Sequence, residues 1–502
     1  ASSSWPRSMT RVGNDVFFVA DDGAHGEELW RTNGLAAGTA LVRDIRPGAQ
    51  SGAPEMLVDV GGVAYFRAND GAHGAELWRS DGTAAGTTLV ADIHPGASPF
   101  GALSGLHRIA ALGGGLLLAA DDGVHGQELW ISDGTAAGTA LLVDIAPGPV
   151  SSEPRDFTEV GGALYFTADD GAHGRELWRT DGTSAGTAMV ADVRPGPASS
   201  GPWRLTEVGG ALFFTADDGA HGVELWSTDG SAAGTALARD VVLGAGGTTI
   251  LSIADLQGVA IFTADDGVHG LELWRSDGTA AGTSLVADLR AGAQGSLPSW
   301  MTSVTGNVWF AADDGVHGAE LWKSDGTAAG TVLVQDLKPG PQGSGPQSFV
   351  LSGGGLFFTA DDGVKGDEVW TVPPGATFAP LSSTGCGAGL RTPTLEVSTP
   401  ALGATALCRG VAGQPGAPGL LLVAQPGPVW QVTSECATHL DLAAYAGLAT
   451  FATAAGGDWQ VPLALPNAPY LQGLQVALQA VFAPTLGPRG FELSASATAT
   501  LQ

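Results

Sequence analysis

From Ala163 to Ala168 the chain alternates so that Leu164, Phe166 and Ala168 share one face of an extended segment. A period of two over six residues predicts a β-strand. Phe157 to Val160 predicts a shorter strand before it, and Gly161-Gly162 supplies the intervening tight turn, where positive φ is tolerated. Asp169 to Gly174 then turns the chain, and Glu176 to Arg179 predicts a third strand. A second turn runs from Asp181 to Gly186, and Thr187 to Val193 predicts a fourth strand, ended by Pro195-Gly196.

This four-strand unit recurs. Its tryptophans are Trp30, Trp78, Trp130, Trp178, Trp226, Trp274, Trp322 and Trp370, spaced 48 residues apart except for one gap of 52 between Trp78 and Trp130. The extra residues fall in one connection, "HPGASPFGALSGLHR", so the repeated unit itself is intact. Four strands in just under fifty residues match a propeller blade. A solenoid would have shorter coils and distinct caps at both ends, whereas the first and last copies here are nearly regular. The expected fold is therefore all-β: an eight-bladed β-propeller over 1–384, from a first strand at Ser8 to Val12 to a last one at Ala376 to Leu381. Closure is expected through face-to-face blade packing near Trp5.

"ELWRSDGTAAGT", at Glu76 to Thr87 and again at Glu272 to Thr283, resembles the ELWxxDGT repeat of large secreted proteins of myxobacteria and other environmental bacteria. The likeness covers about Val16 to Leu381. The first copy departs with Asn33-Gly34-Leu35, the fifth with Asp229-Gly230-Ser231, and the eighth replaces Asp-Gly-Thr by "TVPPGAT". The resemblance implies a propeller-like surface protein without established chemistry. "ADDGAHGRELW", Ala168 to Trp178, is also similar to the tryptophan-docking motif of eight-bladed quinoprotein dehydrogenases. That likeness implies a packing role for the tryptophan and carries no quinone, since the repeats lack a cysteine pair.

Composition narrows the function. With 51 acids against 22 Lys and Arg, the 502-residue chain has a formal charge of −29, which argues against a nucleic-acid partner. Five acids and three arginines follow Gly385, so −27 of this charge belongs to the repeats. No apolar run approaches the roughly 18 residues of a membrane span. The start at Ala1 is read as that of a processed, secreted or surface-displayed chain.

The repeated chemistry is an acidic pair before glycine: Asp21-Asp22, Asn69-Asp70, Asp121-Asp122, Asp169-Asp170, Asp217-Asp218, Asp265-Asp266, Asp313-Asp314 and Asp361-Asp362. One reading makes each pair a turn cap. The other makes Asp21, Asp22, Asp121, Asp122, Asp169, Asp170, Asp217, Asp218, Asp265, Asp266, Asp313, Asp314, Asp361 and Asp362 calcium ligands, with acids of the Glu176 type and backbone carbonyls completing the oxygen set. Histidines 25, 73, 125, 173, 221, 269 and 317 also repeat, with Lys365 in the eighth place, and are expected to hydrogen-bond at the turn.

The irregular stretches Ser98 to Arg108 and Val241 to Thr249 supply no convergent nucleophile, base and oxyanion set. The sequence thus favours a binding or structural protein with a protein or glycan ligand over an enzyme. The alternative is a propeller glycan lyase or hydrolase acting from the central funnel.

Residues 385–502 leave the repeat register. They resemble the C-terminal β-sandwich, jelly-roll-like, of secreted myxobacterial and planctomycete proteins. Alternation of Leu474, Val476 and Leu478 predicts a strand, and "AAGGDW" predicts a hairpin turn. The resemblance implies a Cys386–Cys436 disulfide, leaving Cys408 free.

Overall fold

The computed structural model describes residues 4–96, 105–352 and 355–372, together with eight short strands between Leu407 and Leu501. The fold is all-β, and no α-helix occurs among the described residues. The fourth repeat folds as Arg155–Val160, Ala163–Asp169, Arg175–Thr180 and Ala188–Ala191, each strand antiparallel to the next. The last strand stops short of the predicted Val193 because that residue leaves the ladder and gives its N–H to Glu176. Four-stranded sheets of this kind occupy 7–43, 55–91, 105–143, 155–191, 203–239, 253–287 and 299–335, and 347–372 forms a three-stranded one. The strand expected at Ala376 to Leu381 lies outside the described residues.

Both faces of each sheet are apolar, so each must be covered on both sides. In the second sheet Phe66 lies opposite Trp78, and both pack onto Val12, Phe17 and Leu29 of the first. Tyr65 and Leu77, on its other face, meet Leu106, Leu116 and Leu118 of the third. Seven such clusters join the eight sheets in sequence. The closest approaches between successive sheets are between their first strands, so the sheets fan outward from a shared axis. This is the arrangement of β-propeller blades.

The faces expected to close the ring, on the eighth and first blades, are more exposed than their counterparts in the other blades. Phe18 is only half-buried, whereas Phe66, Phe166, Phe214, Phe262, Phe310 and Phe358 are fully enclosed. On the other side Val369 is 52% exposed, whereas leucine fills that position in the preceding blades and is buried in all of them. Trp5 does not fill this seam. It is 74% exposed, and its neighbour Ser4 is tied to its own blade through the Asp21 N–H.

Residues 1–380 and 381–502 form two compact units. In the second, Leu407–Gly410, Leu420–Ala424 and Trp430–Ser434 make one antiparallel sheet, and Gln475–Ala477, Thr498–Leu501 and Phe491–Leu493 another. Ala452–Thr453 pairs with Trp459–Gln460 around the predicted turn. Cys386 and Cys436 lie outside the described residues. No helix among the described residues is long and apolar enough to cross a membrane.

Candidate functional site

The turn between second and third strands is closed by its own aspartates. In the fifth blade Asp217 Oδ1 accepts the Gly219 N–H at 2.7 Å, and Asp218 Oδ1 accepts those of Ala220 and His221 at 2.8 Å. Asp218 Oδ2 takes the His221 Nδ1 at 2.7 Å. Asp217 Oδ2 is held at 2.7 Å by Arg194, from the preceding blade. The seventh blade repeats the set with Asp313, Asp314, His317 and Arg290. The same Asp-to-turn bonds recur at Asp21-Asp22, Asp121-Asp122, Asp169-Asp170, Asp265-Asp266 and Asp361-Asp362. Backbone N–H groups and the His25 ring hold the Asp22 carboxyl down to about 2, and the same hydrogen bond raises His25 above its ordinary value.

This donor set fits calcium poorly. In the fifth and seventh blades every oxygen of the pair faces an N–H group, and positive hydrogens occupy the directions a cation needs. Glu176, the proposed further ligand, is turned away. It is fully buried, accepting the N–H groups of Val193 and Ser200 and the Ser200 hydroxyl at 2.6 Å. Among the described residues, no three His, Cys, Asp or Glu side chains come together in a group that could hold a metal ion.

The buried glutamate is a clamp that the sequence reading missed. Glu28 receives the N–H groups of Ile45, Arg46 and Gly52, so it fixes the segment leading into the next blade. Glu128, Glu272 and Glu320 do the same, each adding a serine hydroxyl at 2.5 to 2.6 Å. Burial pushes the carboxyls of Glu28, Glu76 and Glu224 up to about 7. Its signal was visible: the same Glu stands directly before Leu-Trp in the third strand of the first seven blades.

The Asp-Gly-Thr turn is equally self-contained. Asp81 Oδ1 accepts both the N–H and the hydroxyl of Thr83, whose oxygen then accepts the Gly86 N–H at 2.9 Å. A Cβ at Gly86 would lie 2.1 Å from the Asp81 carboxylate, and Gly82 sits at φ +88°. Both glycines are required by this loop.

Non-repeating chemistry gathers where each blade enters its first strand. Six blades have the pattern left-handed residue, proline, strand residue, left-handed residue: Trp5 to Ser8, Ala53 to Met56, Glu153 to Asp156, Gly201 to Arg204, Leu297 to Trp300 and Gly345 to Ser348. Ten of these twelve left-handed positions are not glycine, with φ between 44° and 62°. The backbone is held there from both sides. Glu153 donates its N–H to Gln127 of the preceding blade, while Ser152 accepts that of Asp169 in its own. In each of the six a register shift follows, so the second left-handed residue is a bulge in the innermost strand. The X-Pro step that recurs before these six first strands was the overlooked signal.

No protein-family model matches the chain, and no curated protein matches it. Among solved structures it is similar to a puromycin hydrolase, at 16% identity and TM-score 0.36 over 83% of this chain and 60% of that one. It is also similar to a prolyl endopeptidase, at 10% and 0.39 over 71% and 54%. A third is the β-propeller domain of the trilobed protease from Pyrococcus furiosus, at 10% and 0.34 over 74% and 95%. The chain thus spans little more than half the length of the first two. These matches correct the expectation that a binding or structural protein is favoured over an enzyme, since the matched structures are a puromycin hydrolase and a prolyl endopeptidase. Likeness at this level assigns no reaction to the chain.

Proposed function

We propose that this chain is a secreted or cell-surface binding protein of the ELWxxDGT-repeat type, an eight-bladed ring followed by a β-sandwich over 385–502. The repeated motifs build the ring, and recognition takes place where the first strands begin. What supports this reading is a division within each repeat. The Asp-Asp-Gly and Asp-Gly-Thr turns satisfy their own polar groups in blade after blade. The strained first-strand residues differ from blade to blade, and backbone bonds hold the chain on their flanks. Strain and bulges of this kind concentrate at functional sites. Cations act at the acidic rim by screening, without a coordinated site.

The test is saturable binding of the whole chain to a defined panel of neutral polysaccharides, acidic polysaccharides and extended peptides. The reading expects one class to bind, with affinity kept in Asp170→Asn and lost when Asp156, Arg204 and Trp300 are replaced together by serine. Binding to no class, or equal loss from both variants, contradicts it.

A further inference from the structure

The six first-strand entries form a collar at one end of the ring axis, because the first strands lie side by side and these residues share one level on them. The collar has two characters. Trp203, third residue of the fifth blade's entry, and Trp300, fourth of the seventh's, are 52% and 51% exposed. Leu297 is exposed in the same entry as Trp300, and Leu251 is exposed before the first strand of the intervening sixth blade. Glu153, Arg155, Asp156 and Arg204 follow one another on the adjoining fourth and fifth blades, with Glu153 paired to Arg175 at 2.9 Å. Large exposed apolar groups beside oriented polar ones mark a ligand surface.

Charge narrows the ligand. Across the six four-residue entries, Arg7, Arg155 and Arg204 balance Glu55, Glu153 and Asp156, so the collar is neutral in a chain of formal charge −29. A polyanion would be repelled by the rest of the chain, and a polycation would be drawn to the rim instead. A flat indole exposes an apolar face, and paired carboxylates and guanidinium groups accept and donate hydrogen bonds. A pyranose ring carries the complementary pair, a C–H face and an edge of hydroxyls.

We propose that the exposed indoles of Trp203 and Trp300, with the neighbouring Glu153, Asp156 and Arg204, form a binding site for a neutral oligosaccharide on the axis of the ring. This rests on the binding-protein reading above and names its ligand class. The backbone supplies an independent check, since Trp300 sits at φ +57°, where glycine is unstrained and a bulky side chain is not.

The experiment is calorimetric titration of the full chain with maltoheptaose, cellohexaose and a mannan oligosaccharide, with dextran sulfate, polylysine and a mixed extended peptide as comparison probes. At least one neutral oligosaccharide is expected to bind saturably. Trp203→Ala and Trp300→Ala are each expected to weaken it tenfold or more, with Trp300→Phe retaining most of the affinity. Trp300→Gly should abolish binding while raising the Tm, because it relieves the left-handed strain; a lowered Tm would make Trp300 a structural residue and overturn the site. Binding of the peptide or a charged probe alone, still lost in Trp300→Ala, overturns the ligand class and leaves the binding-protein reading standing. Oligosaccharide binding that stays within twofold in both Trp variants overturns the collar, and a chain that binds no probe overturns both.

Discussion

His173 Nδ1 stands 2.7 Å from Asp170 Oδ2, and Asp170 Oδ1 accepts the His173 N–H, so this turn, like those of the six other histidine blades, is fastened by one carboxylate to the side chain and backbone of one residue. The pairing raises the histidine above its ordinary value. Its contribution to stability is present in full below the unfolded value and is lost as pH rises through the folded one.

The buried glutamates act in the same direction. Their folded values lie above the ordinary carboxylate range, up to about 7 for Glu28, Glu76 and Glu224, so the native state binds protons that the unfolded chain releases. The Asp22 type is held down, and its share is lost only as pH falls below about 4. The Tm is therefore expected to be higher at pH 5.5 than at pH 8, read by thermal scans at constant ionic strength. A Tm that climbs over this interval would contradict both assignments.

The repeated tryptophans are blade anchors. Trp78 is 4% exposed and packs on Val12, Phe17 and Leu29 of the preceding blade. Trp78→Ala should cost about 3–5 kcal/mol and Trp78→Phe clearly less. Equal denaturation midpoints for Trp78→Ala and the unsubstituted chain would remove the anchor.

The seam between the last and first blades gives a paired comparison. Leu321 is fully buried between the seventh and eighth blades, while its eighth-blade counterpart Val369 is half exposed. Leu321→Ala is expected to cost about 2–5 kcal/mol, and Val369→Ala under about 1 kcal/mol because little apolar area is enclosed. Comparable losses in chemical denaturation would mean that the seam is as tightly packed as the other seven interfaces.

The blade was legible because its determinants are local: alternation from Leu164 to Ala168, paired glycines at 161 and 162, and a tryptophan every 48 residues. The role of Glu176 was not, because its partners Val193 and Ser200 lie 17 and 24 residues away and become visible only when the connecting segment folds back. The acidic pairs allowed two readings, since composition alone cannot say whether a carboxylate faces N–H groups or a cation. In the fifth blade Arg194 faces Asp217, and that contact crosses between blades. The collar was hidden for the opposite reason. Its residues do not repeat, so a search for repetition passes over them, and the left-handed backbone at Met56 or Trp300 has no signature beyond the proline two residues before it.

The central claim is that the repeated acidic turns are structural, with their carboxylates engaged by the N–H groups of the turn. The most direct measurement is a calorimetric titration of Ca²⁺ into chelator-treated protein, paired with thermal scans in Ca²⁺, Mg²⁺ and NaCl at equal ionic strength. Screening alone treats the two divalent ions alike, whereas a coordinated site adds RT ln(1 + [L]/Kd) for the ion it prefers. The account predicts no saturable heat and equal Tm values in Ca²⁺ and Mg²⁺. Saturable binding of several Ca²⁺ per chain, reduced in Asp217→Asn with Asp218→Asn, would contradict it.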